Sequence, residues 1–124
     1  MSVEILYFQG HRIIHTDLEG VTDHDEQLRH VSMVSRIAED ADSPILLLVN
    51  VGDFLPGKDY MEFASKESEA HKGQVGKSAY YNVSDKNRVL FSIFNRYNKG
   101  VRNRRTFRNK GDALRWLVAD PPQA

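Results

Sequence analysis

Pro44-Ile45-Leu46-Leu47-Leu48-Val49-Asn50-Val51-Gly52-Asp53 decides the fold of this chain. From Ile45 to Val49 no polar residue interrupts it, which marks a strand covered on both faces. Strands of that kind belong to parallel sheets flanked by helices. Such sheets bind ligands just beyond the carboxyl ends of their strands, where Asn50, Gly52 and Asp53 stand. Pro56-Gly57 then signals a turn. The stretch sets an architecture and a place to look, and it names no reaction.

Upstream, Val3 to Phe8, a turn at Gln9-Gly10, and Arg12 to Asp17 read as a β-hairpin. Glu4-Ile5-Leu6-Tyr7-Phe8-Gln9-Gly10 resembles a protease site used in expression tags, with Ile5 where such a site carries Asn. The hairpin pattern takes the segment as native. Thr22 and Asp25 form a capping-box pattern ahead of a helix to about Asp40, with Leu28, Val31, Val34, Ile37 and Ala38 as its apolar stripe.

Downstream, a second helix is expected from about Asp59 to His71, burying Tyr60, Phe63 and Ala64, with Gly73 as its stop. Lys77 to Val83 reads as a strand. Ser84 caps a third helix with Val89, Leu90, Ile93, Phe94 and Tyr97 on one face, ended by Gly100. Arg104 to Arg108 reads as a short edge strand. Asn109 and Asp112 cap a last helix that packs Ala113, Leu114, Trp116 and Leu117 and stops at Pro121-Pro122. The order is ββαβαβαβα: an α/β fold with a mixed, mostly parallel sheet of about five strands and four helices.

At 124 residues the chain fits one domain. The absence of cysteine excludes disulfides, thiolate metal sites and a cysteine nucleophile. No segment approaches the ~20 apolar residues of a membrane span, and the start lacks the pattern of a signal peptide. A cytoplasmic protein is expected, in which Asn82-Val83-Ser84 is a chance glycosylation sequon. The formal net charge of zero hides a division. Residues 1–70 carry 5 Lys/Arg against 14 Asp/Glu, and residues 71–124 carry 12 against 3. The basic excess is densest from Arg96 to Lys110. Such segregation favours self-association of opposed faces, whereas overall neutrality speaks against nonspecific nucleic-acid binding.

The whole pattern resembles the small bacterial SpoIIAA-like proteins, relatives of the STAS domain and of CRAL-TRIO-type lipid-transfer proteins. The resemblance rests on Arg12-Ile13-Ile14-His15-Thr16-Asp17-Leu18-Glu19-Gly20, Leu47-Leu48-Val49-Asn50-Val51 and Lys77-Ser78-Ala79-Tyr80-Tyr81-Asn82-Val83. It extends to Phe94-Asn95-Arg96-Tyr97-Asn98, Arg105-Thr106-Phe107 and Ala113-Leu114-Arg115-Trp116-Leu117. It implies action by binding. In STAS anti-anti-sigma factors a phosphorylated serine opens the helix after the central strand. Here Asp53 to Tyr60 contains no Ser or Thr, so that switch does not carry over.

Asp17, Asn50 and Asp53 are the residues that this topology gathers at one sheet edge, as cation ligands, acid–base groups or simple turn caps. Lys77 and Ser84 suggest an anion site at the third helix, for which capping is the plainer reading. Five histidines lack metal-site spacing, so no metal and no cofactor is expected. No nucleophile-elbow pattern supports an enzyme. The expected function is a noncatalytic protein-binding or regulatory module, partnered by another protein or by itself as a homodimer. The alternative is a carrier of a small lipid or other apolar anion, with Tyr80, Tyr81, Phe91 and Phe94 near the pocket.

Overall fold

The computed structural model describes residues 2–54, 57–71, 73–89, 92 and 104–119. Gln9 and Gly10 both take positive φ, 50° and 81°, as a two-residue type I′ turn requires. That turn joins β1 (Ser2–Phe8) to β2 (His11–Asp17) in an antiparallel register running from Phe8↔His11 to Ser2↔Asp17. The remaining strands are β3 (Ile45–Gly52), β4 (Val75–Val83) and β5 (Arg104–Thr106), each parallel to its predecessor. The sheet order is β1-β2-β3-β4-β5, which places the hydrophobic run of β3 at its centre.

Helices alternate with the parallel strands: α1 (His24–Asp40), α2 (Lys58–Ala70), α3 (helical over residues 85–89) and α4 (Lys110–Val118). The fold is therefore α/β with the order ββαβαβαβα and a five-stranded mixed sheet. Each crossover steps to the adjacent strand in the same direction, so right-handed connections bring α1 and α2 to one face. Alternation along the strands then divides the core. Ile14, Leu47, Val49 and Val51 meet Ala38 of α1 on that face, with Val34, Ile37 and Tyr60 packed around them. Ile13, Leu48, Ala79 and Tyr81 meet Ala113 and Leu117 of α4 on the other.

Local differences from the sequence reading have local causes. α1 begins one residue later than the Thr22 cap implies, because the Asp23 carboxylate accepts the Glu26 N–H at 3.0 Å. The apolar stripe of α1 includes a polar member, His30, which is buried, whereas Leu28 and Val31 are only half-buried. β5 ends at Thr106, two residues early. Val89 is 62% exposed rather than packed, and Asn87 takes the buried place on α3. The readings at Leu90, Ile93, Phe94, Tyr97, Gly100 and Pro121-Pro122 lie outside the described residues. α4 matches its expected cap, with the Asp112 N–H donating to Asn109 Oδ1 at 2.8 Å.

Candidate functional site

The carboxyl ends of β2, β3 and β4 lie side by side, through the register pairs Asp17↔Asn50 and Asn50↔Tyr81. Asp17, Asn50 and Asp53 are thereby brought to one edge of the sheet. Each is engaged within the chain. Asp17 Oδ1 accepts from the Glu19 N–H at 3.0 Å, and Asp53 Oδ1 accepts from the Gly20 N–H at 3.2 Å. Asn50 Oδ1 accepts from Asn82 Nδ2 at 3.1 Å, and the same amide donates to Glu19 Oε2 at 2.9 Å.

Backbone conformation explains why these residues stand there. Asn82 has φ +60°, a left-handed conformation that Asn tolerates better than most residues. Its two side-chain hydrogen bonds offset the strain. Gly52, at φ +55°, passes under the Glu19 side chain, so a Cβ there would sit 2.5 Å from Glu19 Oε2. Glycine is required both by conformation and by room. Beyond the edge, Asn87 Nδ2 donates to the carbonyls of Phe54 at 2.9 Å and Gly52 at 3.4 Å, tying α3 to the end of β3.

The other candidates lie elsewhere. Lys77 sits at the opposite end of β4, where its ammonium donates to the Trp116 and Ala119 carbonyls at 2.8 and 2.7 Å. It caps α4, meeting the negative end of the helix dipole. Ser84 Oγ accepts the Asn87 N–H at 3.2 Å and caps α3. Tyr80 and Tyr81 alternate across the sheet, Tyr80 toward the α1–α2 core and Tyr81 toward α4. They therefore do not line one pocket, and Phe91 and Phe94 lie outside the described residues.

A network not foreseen from sequence runs across the α4 face. Glu4 on β1 is the hairpin partner of His15 on β2. Glu4 Oε1 lies 2.9 Å from His15 Nδ1, and His15 Nε2 lies 2.8 Å from the Tyr81 hydroxyl. In the Nδ1–H tautomer of the neutral imidazole, Nδ1–H donates to the carboxylate and Nε2 accepts from the phenol. Burial, reinforced by the carboxylates of Asp17, Glu19 and Glu4, pushes the Tyr81 phenol up to about 12. The phenol is thus held protonated as a donor. Three strands are joined by one chain of bonds.

The remaining histidines serve packing and surface. His30 Nδ1 pairs with Thr16 Oγ1 at 2.7 Å, while its Nε2 is buried with no hydrogen-bond partner among the described residues. His71 links α1 and α2 through Glu39 and Glu67, both at 3.2 Å. Among the described residues no group of three or more His, Asp or Glu has a metal-holding arrangement. Among them, too, no helix is long and apolar enough to cross a membrane. A groove of about 80 Å³ opens between Val83, Arg88, Thr106, Phe107 and Arg108.

No protein-family model, curated protein or solved structure matches this chain.

Proposed function

We propose that this chain is a noncatalytic binding or regulatory module of SpoIIAA-like type that works by holding a protein. The observation that carries the reading is the edge of β1: among the described residues this strand has a hydrogen-bonding neighbour on one side only, and Ile5 and Tyr7 stand 48% and 74% exposed there. An open, apolar edge strand is a site at which proteins add a further strand. The polar groups at the sheet edge support the same reading, since Asp17, Asn50 and Asp53 are held by internal hydrogen bonds.

The test is to immobilise the full chain beside an Ile5→Lys/Tyr7→Lys variant and pass native extract over both. A defined protein, or further copies of the chain, held by the first and released by the second is the expected result. Equal retention on both, or none on either, rejects the reading.

The alternative, carriage of a small apolar anion, would use the groove with Arg88 and Arg108 beside Val83 and Phe107, where an anion would compete with Asp85, 2.9 and 3.8 Å from the two guanidiniums. Its volume of about 80 Å³ falls far below the roughly 300–1,000 Å³ of drug-sized ligand sites, so it suits a small anion and not an acyl chain. Native mass spectrometry of the purified chain decides this: a co-purifying organic anion supports it, and a bare polypeptide mass removes it.

A further inference from the structure

We infer that the partner taken up at the β1 edge is a second copy of this chain, joined antiparallel about a twofold axis at Ile5. The inference rests on the binding-module reading and names its partner. It follows from the register of the hairpin. A two-residue turn makes Phe8 and His11 a hydrogen-bonded pair, and antiparallel pairs alternate from there. The backbone N–H and C=O groups of Leu6 and Glu4 therefore face β2. Those of Val3, Ile5 and Tyr7 point away from it, toward the open edge.

This outward set is complementary to itself. In a twofold arrangement Ile5 exchanges both backbone bonds with its own counterpart, and Val3 exchanges both with Tyr7 of the other copy. The side chains of Val3, Ile5 and Tyr7 share the α1 face of the strand, where Val3 already packs on the core. Exposed Ile5 meets Ile5, and exposed Tyr7 covers Val3. Charge is compatible as well. Glu4 is the single charged residue of β1, on the opposite strand face, and its carboxylate already accepts from His15. Opposite Leu6 it meets no like charge across the axis. Two five-stranded sheets become one continuous sheet, and both edges are satisfied.

The experiment is sedimentation equilibrium of the full chain and of Ile5→Lys and Ile5→Glu variants, each checked for folding by circular dichroism. Wild type is expected to dimerise with little dependence on salt, because backbone bonds and apolar contacts carry the contact. Each variant alone sets two like charges directly opposite and should weaken dimerisation by at least about tenfold. An equimolar mixture of the two places Lys against Glu and should restore the dimer at low salt. A wild type that stays monomeric overturns the inference, as does a dimer indifferent to both substitutions or variants whose mixture stays monomeric. A monomer that still retains a different protein removes self-pairing alone, whereas a monomer that retains nothing removes the binding-module reading with it.

Discussion

His15 Nε2 and the Tyr81 hydroxyl meet at 2.8 Å across the width of β3, the rings close to parallel at 17°. Neither residue belongs to the strand between them. β3 contributes only aliphatic Leu48 at the His15 level, so the imidazole and phenol reach over it and bond to each other. Glu4 completes the chain from β1. The hairpin is thereby held to the parallel part of the sheet by side chains as well as by backbone.

Tyr81→Phe removes the hydroxyl that His15 Nε2 meets among the described residues and leaves a buried ring nitrogen unsatisfied. The expected cost is about 1–3 kcal/mol of stability, read as a lower urea midpoint at unchanged m-value. A double-mutant cycle with His15→Phe should show coupling, since either change alone breaks the same bond. Additive effects would show that the bond contributes nothing of its own.

His30 is expected to contribute to the acid limb of the stability curve. Desolvation holds its imidazole below the ordinary value of 6.5, with the chain's amino terminus adding to the effect and Glu26 and Asp17 opposing it. Above that pH His30 is neutral in folded and unfolded chains alike. Below it the unfolded chain takes up a proton that the folded one resists, so stability falls as pH drops through and below 6.5. His30→Gln should flatten this slope in urea titrations between pH 5 and 7, measured as the change in ΔG per pH unit. An unchanged slope would assign the acid sensitivity to other groups.

Lys77→Met retains the aliphatic stem and removes the ammonium from the α4 carbonyls. About 1.5–3 kcal/mol is expected from loss of charge-assisted bonds to the helix end. Hydrogen exchange should rise first in residues 113–119, ahead of α1. Uniform acceleration throughout the chain would mean that α4 and the sheet unfold as one unit.

Gly52→Ala meets two obstacles, the left-handed φ of +55° and the Glu19 side chain 2.5–2.8 Å from the new Cβ. A destabilisation of about 1–2 kcal/mol is expected from the backbone alone, with more from displacing Glu19. Glu19→Ala in the same chain removes the Oε2 and Cγ contacts, keeps the Cβ one at 2.8 Å, and should return part of that loss. Thermal denaturation of the two single variants and the double variant measures it, and no recovery would show that strain outweighs the clash.

The sequence by itself determined the order of elements. The uninterrupted Ile45–Val49 run specifies a strand buried on both faces, Gln9-Gly10 specifies a two-residue hairpin turn, and Asn109 with Asp112 specifies a helix start. In each case the signal lies within a few residues of its effect. The Glu4–His15 contact was within reach too, since a two-residue turn fixes which residues oppose. So was the gathering of Asp17, Asn50 and Asp53, because parallel strands bring their carboxyl ends to one edge.

Only the tertiary structure decided which polar groups meet. Tyr81 reaches His15 from 66 positions away; strand order and parity bring them to one face, and no local pattern encodes the distance between them. Lys77 read as a neighbour of Ser84, yet a nine-residue strand, β4, carries the two toward opposite ends of the sheet. His30 had no place in the apolar stripe read for α1 and proved part of its buried side, where Thr16 offers its ring a partner. Periodicity records burial and turn chemistry, which are local; long-range polar contacts depend on packing the elements together.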